Sequence, residues 1–282
     1  MRILLAVDGS KHSLNAVQFL IDHAGWLKDA PELDLVTVHL PVPKLPGMGA
    51  AVGKVQLDKI VDHFEPLGVK RFSIVYYDDV VGRENLTAVE RALAKRNLKP
   101  VSVAAFADRA KPDIESGLKQ IAAGQPDVVI LTTLYKATAD FIRLAQKSGM
   151  GASMASNSFP GASPLAKELG QAGQGIIVAT VVPPPTKRSL PVVQEYQHDI
   201  ELQTGSKAFS FTSLESYIGA KVLVEALKRA GPKPTREGLA QALDAMKAFD
   251  VGGYVVTFAP DNHNGSSFVE LTVIGQGLKF NY

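Results

Sequence analysis

The sequence contains no cysteine, which excludes disulfide bonds, thiolate nucleophiles and cysteine metal ligands. It also has no apolar run near the roughly 18 residues that a membrane-spanning helix requires. The apolar run at residues 3–7 stops at Asp8, whereas the core of a signal peptide needs about 7–15 residues. We therefore interpret this run as a buried strand, and we expect the chain as encoded to be cytoplasmic.

Charge of one sign and catalytic motifs are also scarce. The formal net charge is +2 and the basic residues are scattered, so there is no electrostatic footprint for nucleic acid or anionic lipid. There is no Gly-x-Ser-x-Gly nucleophile elbow, and the six histidines lack metal-ligand spacing. We predict that the chain is not an enzyme and that it uses no metal and no other cofactor.

The first segment, residues 1–53, has the pattern of a β-α-β unit. A strand at 3–7 is followed by the turn Asp8-Gly9-Ser10, by apolar residues at helical spacing, and by a second strand at 33–40. Residues 41–53 contain three prolines and three glycines, which predicts a loop or linker.

A second segment, residues 54–182, alternates strands with helices and predicts a parallel sheet covered on both faces. The predicted strands are 72–77, 101–106, 127–131, 153–156 and 175–180, and the predicted helices are 56–64, 84–96, 113–123, 138–148 and 163–169. The regular alternation of predicted strands and helices ends at the three prolines at 183–185. The third segment, residues 183–282, predicts helices at 191–204, 213–230 and 235–247, then a hairpin of strands 253–258 and 268–274.

The first segment resembles the universal stress protein family through Ile-Leu-Leu-Ala-Val-Asp-Gly-Ser at 3–10 and Leu-Val-Thr-Val-His-Leu at 35–40. The resemblance implies that Asp8 and Val38 hold the adenine–ribose end of ATP. The glycine-rich phosphate loop of that family has no counterpart here, and without its amides Asp8 alone does not make an ATP site. The alternative is that Asp8 simply closes a strand–helix turn.

From about residue 55 onward the chain resembles type 1 periplasmic binding proteins, and within them the branched-chain amino-acid receptors of ABC importers. The resemblance lies in the order and spacing of Phe-Ser-Ile-Val-Tyr-Tyr-Asp-Asp at 72–79, Pro-Asp-Val-Val-Ile at 126–130, Phe-Ile-Arg-Leu-Ala-Gln-Lys-Ser-Gly at 141–149, and Gly252-Gly253. It implies an α/β fold of doubly wound parallel sheets, with one complete lobe and one incomplete lobe that the β-α-β unit completes. It also implies a small-molecule ligand in an interlobe cleft, an ABC permease as partner, and a periplasmic location for such receptors.

The ligand site is expected where parallel strands end, because ligands of open α/β sheets bind beyond the carboxyl ends of strands. The polar or aromatic side chains at these ends are Asp79, Thr132, Thr133, Tyr135, Asn157 and Ser158. The receptors carry an aromatic residue at the position of Val81 and an acid near Asn157. Because both differ here, an aromatic or aliphatic carboxylate is as plausible a ligand as an amino acid. The alternative is that these residues are ordinary loop chemistry.

Together these patterns predict the solute-binding component of an ABC importer, impaired because a stress-protein fragment stands where much of the first lobe belongs. Two alternatives remain open at this stage. The chain is a nucleotide-binding protein of the universal stress type, or it is a chimera from recombination with no selected function.

Overall fold

The computed structural model describes residues 2–7, 32–37 and 50–282 of the chain. The chain divides into two compact units, Met1–Pro46 and Gly47–Tyr282. Each unit is described by itself below.

In the first unit two strands pair in parallel. β1 (Arg2–Val7) lies beside β2 (Glu32–Thr37), with Arg2 opposite Glu32 and Val7 opposite Thr37. This confirms the two predicted strands and their direction, since parallel neighbours need a crossover connection between them. The predicted connecting helix, Asp8 and Val38 lie outside the described residues.

The second unit is built on a seven-stranded sheet with the strand order β11-β10-β7-β6-β5-β3-β4. Its strands from β3 to β7 are parallel, as the alternating pattern predicts. A separate two-stranded sheet pairs β8 with β9. The strands are β3 (Phe72–Tyr77), β4 (Ser102–Phe106), β5 (Val128–Leu131), β6 (Ser153–Ser156), β7 (Ile177–Thr180), β8 (Phe249–Asp250), β9 (Val255–Val256), β10 (Glu270–Ile274) and β11 (Phe280–Asn281).

Helices cover both faces of this sheet. They are α1 (Ala50–Phe64), α2 (Val80–Ala94), α3 (Ile114–Ala123), α4 (Tyr135–Lys147), α5 (Ala162–Leu169), α6 (Pro191–Thr204), α7 (Phe211–Ala230) and α8 (Arg236–Asp244). Successive residues of β3 serve opposite faces, as a pleated strand requires. Ile74 packs in the core under α1 and α2, and Val75 packs in the larger core under α3, α4, α5 and α7.

Several helices begin earlier than the sequence predicts. α1 begins at Ala50 and not at residue 56, so the predicted loop is wrong over residues 50–53. α2 begins at Val80, directly after Asp79, whose carboxylate accepts a hydrogen bond from Gly82 N–H. The predictions followed apolar periodicity, which starts one turn inside a helix, whereas an N-cap sets the true first residue.

The C-terminal strands pair differently from the predicted hairpin, which is wrong. β9 pairs with β8, while β10 lies antiparallel between β7 and β11. The sheet thus takes its last two strands from beyond residue 269. The predicted division of the chain at residue 182 stays a prediction.

Candidate functional site

The carboxyl ends of four neighbouring parallel strands meet at one edge of the large sheet. We call the loops that follow them the carboxyl edge: residues 78–79 after β3, 107–113 after β4, 132–135 after β5 and 157–159 after β6. Five of the six predicted site residues lie in the loops after β3, β5 and β6, and Tyr135 begins α4. The geometry that follows separates them into buried and accessible groups.

Asp79 binds two partners at once. Its Oδ1 accepts the Gly82 N–H at 2.9 Å, which caps α2. Its Oδ2 accepts Arg109 Nε–H at 2.7 Å and lies 2.6 Å from Arg109 Nη2. Partial burial acts to raise the pKa of Asp79, but the hydrogen bonds from Gly82 and Arg109 outweigh it and hold the pKa below its ordinary value. Asp79 is therefore a charged cap and ion-pair partner.

Arg109 is the central residue of the edge that sequence reasoning missed. Its guanidinium carbon lies 5.1 Å from the centroid of the Tyr77 ring and 5.7 Å from that of Phe159. Both distances are within the range of cation–π attraction. The available signal was positional: β4 also ends at this edge, and the prediction considered only the loops after the other three strands.

Thr132 and Thr133 turn inward. Thr132 is 1% exposed, and its hydroxyl donates to the Val75 carbonyl at 3.2 Å. Thr133 is fully buried, and its hydroxyl lies 2.8 Å from the Thr138 hydroxyl. These bonds tie the end of β5 to β3 and to the first turns of α4, so the two hydroxyls hold the loop that carries Tyr135. Ligand contact by either threonine stays a prediction.

The loop after β6 is also held from within. Asn157 is buried, and its Oδ1 accepts Phe159 N–H at 3.2 Å. Ser158 is half-buried, and its N–H donates to Gln56 Oε1 at 2.6 Å. Gln56, itself buried on α1, thereby fixes this loop against the first helix of the unit. The side-chain amide of Asn157 therefore stabilises the loop that carries Phe159.

Apolar side chains at the edge remain accessible. Leu134 and Tyr135 are each 37% exposed and Phe159 is 38% exposed, while Val80 and Val81 start α2 in solvent. Leu134 N–H donates to the buried Tyr77 hydroxyl at 3.4 Å, so the apolar row runs from Phe159 past Arg109 and Tyr77 to Leu134. A row of exposed apolar groups around a cation is the composition of one wall of a ligand cleft.

A groove of about 570 Å³ opens on the other side of Tyr135. It is lined from α5 by Ser163, Pro164, Lys167 and Glu168, and from the start of α7 by Ser210 and Thr212. Its polar hydroxyl lining differs from the apolar row near Arg109. Tyr135 thus belongs to the lining of this groove as well as to the loop end at the carboxyl edge.

Metal sites and membrane-spanning helices can be assessed only in the parts of the chain that the structure describes. No group of three or more histidine, aspartate or glutamate side chains there is arranged to hold a metal ion. Within the same residues, every helix is too short or too polar to cross a bilayer.

A family model described as periplasmic binding protein matches residues 50–276. The chain belongs to this family. The α/β fold with a mostly parallel sheet is therefore the fold that the sequence predicts, and the family is one of binding proteins. A search of curated proteins finds no significant match.

Solved structures of the same fold give the scale of the likeness. A protein from Ralstonia solanacearum, described as a substrate-binding periplasmic protein, is 28% identical with a TM-score of 0.74, over 96% of this chain and 77% of its own. A protein from Rhodopirellula baltica SH 1, described as a possible leucine/isoleucine/valine-binding protein, is 26% identical with a TM-score of 0.74. That match covers 82% of this chain and 64% of the Rhodopirellula protein. A fatty acid ABC transporter substrate-binding protein from Thermomonospora curvata, 20% identical over 80% of this chain and 60% of its own with a TM-score of 0.68, shares the fold.

Proposed function

We propose that the chain is the solute-binding component of an ABC importer and that it binds an amino acid or a small carboxylate at the carboxyl edge. The observation that carries this proposal is the accessible apolar row around Arg109, at the sheet edge where open α/β folds bind ligands. Membership of the periplasmic binding protein family supports it, and so do the descriptions of the related Ralstonia and Rhodopirellula proteins. The partners are then a small organic ligand and an ABC permease.

Of the predicted residues, Tyr135 is the strongest candidate for ligand contact, because its ring is exposed beside the edge. Asn157 and Ser158 follow, since the Asn157 side-chain NH₂ donates no hydrogen bond to any described residue. Thr132 and Thr133 act indirectly by holding the loop. We propose that affinity for the ligand is weak in this chain. Among the described residues the carboxyl edge supplies one wall of a cleft, and the polar contacts that a second wall would make with the ligand are missing.

Calorimetry and ¹⁵N-resolved NMR with a panel of amino acids and small carboxylic acids test this function. We expect saturable binding with dissociation constants near about 1 mM, which corresponds to about −4 kcal/mol. The shifted resonances should come from residues 78–79, 107–113, 132–135 and 157–159. Micromolar affinity would contradict the proposed impairment, and saturation with shifts confined to another surface would contradict the site.

The universal stress type of nucleotide binding is a second candidate for the first unit. The parallel pairing of β1 with β2 fits it, as it fits any β-α-β unit. Equilibrium dialysis with labelled ATP discriminates between the two functions. Retention of ATP that is lost in Asp8→Ala would favour the stress-type function and a true fusion of two families.

A further inference from the structure

Resting on the proposed function, we infer that Arg109 is the anion-binding residue of the carboxyl edge and sets the ligand class. The ligand is a carboxylate with an apolar body and without an α-ammonium group. Two independent observations lead there: among the described residues one donor edge of the Arg109 guanidinium has no partner, and both carboxylates that follow β3 are already paired.

The guanidinium of Arg109 is only half used by the protein. A guanidinium has five N–H donors in a planar fork, and Asp79 engages the side formed by Nε and Nη2. Among the described residues, Nη1 donates no hydrogen bond, and the side chain is 43% exposed. A second carboxylate can therefore approach the fork formed by Nη1 and Nη2 from solvent and bind in the bidentate manner that arginine favours.

Two aromatic rings fix the direction in which this fork points. Tyr77 is buried in β3, which fixes its ring, and the Asn157 side chain holds the backbone N–H of Phe159, whose ring stays 38% exposed. Contact with both rings, at 5.1 and 5.7 Å, restricts the rotamers of Arg109 before a ligand arrives. Less side-chain entropy is then lost on binding, which favours affinity.

An ammonium group, by contrast, finds both carboxylates that follow β3 already paired with arginines. Asp79 is paired with Arg109, and Asp78 accepts Arg83 Nε–H at 2.8 Å. Asp108, in the same loop as Arg109, accepts the N–H of Ala110 at 2.7 Å and lies open to water.

At the end of β6 the position is taken by an uncharged amide. Asn157 Oδ1 already accepts Phe159 N–H and keeps one lone pair, while among the described residues no acceptor is bound by the NH₂ group. That group donates, so it favours a carboxylate oxygen and not an ammonium. The exposed side chains of Val80, Val81 and Phe159 offer apolar surface for the body of the ligand.

The decisive probes are three molecules that share one apolar body: 3-phenylpropanoate, its neutral amide 3-phenylpropanamide, and L-phenylalanine. NMR titration of the wild-type chain is expected to show 3-phenylpropanoate binding about tenfold more tightly than either of the others. The Arg109 Nε–H resonance should shift with the acid and stay in place with the amide.

Variants then test whether Arg109 is the source of the preference for the acid over the amide. Arg109→Gln should weaken 3-phenylpropanoate binding about tenfold and change amide binding less than about twofold. Arg109→Lys keeps the charge but loses the planar fork, and should lie between wild type and Arg109→Gln. Arg83→Gln is the matched control: it also removes an arginine paired with an edge aspartate, but one that makes no cation–π contact with a described aromatic ring, and binding should not change.

The possible outcomes distinguish failure of this inference from failure of the proposed function on which it rests. Saturable binding of none of the three probes contradicts the proposed function, and the inference falls with it. Binding in which L-phenylalanine is preferred, or in which Arg109→Gln weakens the acid and the amide equally, overturns the inference alone. Thermal unfolding checks that each variant is folded. If Arg109→Gln does not fold, the response of the Arg109 Nε–H resonance in wild type to the acid and the amide still tests the inference.

Discussion

Asp78 and Asp79 are adjacent acids, each paired with an arginine, yet the two pairs differ in kind. Arg83 and Asp78 meet in solvent with side chains 66% and 41% exposed, where water screens the pair and its net contribution to stability is small. Arg109 and Asp79 meet between Tyr77 and Phe159, and Asp79 also caps a helix. A sequence neighbour is therefore a poor guide to function at this edge, because the surrounding rings and the cap decide what each pair does.

The largest expected effect comes from removing the buried ring beneath Arg109. Tyr77→Ala leaves a cavity in the larger core and should lower the free energy of unfolding by about 3–5 kcal/mol. Chemical denaturation measures this directly. Glu90→Ala, an exposed change on α2, should stay within about 0.5 kcal/mol of wild type. A small loss of unfolding free energy in Tyr77→Ala would show that the Arg109–Asp79 pair has no more rigid support than the Arg83–Asp78 pair.

A second comparison neutralises each acid in turn. Asp79→Asn keeps a good N-cap, since asparagine caps helices as well as aspartate does, but it removes the counter-ion of Arg109. The affinity for 3-phenylpropanoate, measured by NMR titration, should rise about threefold to tenfold. Asp78→Asn should leave it unchanged. Weaker L-phenylalanine binding in Asp79→Asn would instead indicate that Asp79 contacts an ammonium group of the ligand.

The smallest effect is a dependence of stability on pH. Because the pKa of Asp79 is lowered in the folded state, its stabilisation is complete above its unfolded value of about 3.8 and is lost as pH falls through the folded value. Wild type should exceed Asp79→Asn in unfolding free energy at neutral pH, and the gap should close in acid. Urea denaturation from about pH 7 down to about pH 3 checks this; a gap that widens in acid would contradict the assignment.

Local sequence patterns predict the elements of the sheet well and their contacts poorly. β3, β6 and α6 have the predicted bounds. For β3 an apolar stretch ends at Asp78, and for α6 Pro191 marks the start and Gly205 the end. The position of β10 between β7 and β11 could not be predicted, since strand pairing depends on contacts far apart in the chain.

The candidate site divides in the same way. The sequence places Tyr135 and Asp79 correctly at strand ends, as the parallel pattern requires. It does not tell whether a hydroxyl such as that of Thr133 turns toward solvent or toward the next helix. Nor does it bring Arg109 to Asp79, because the two residues lie 30 positions apart, with a helix and a strand between them.

The place of β10 in the sheet has a consequence for synthesis on the ribosome. Thr180 of β7 pairs with Glu270 of β10, and 90 residues separate them. Until that later strand emerges, one edge of the four-residue strand β7 has backbone donors and acceptors without a partner, a state prone to wrong pairing with other chains. The order in which the strands are made thus leaves this edge of the parallel sheet open until residues 270–274 have been synthesised.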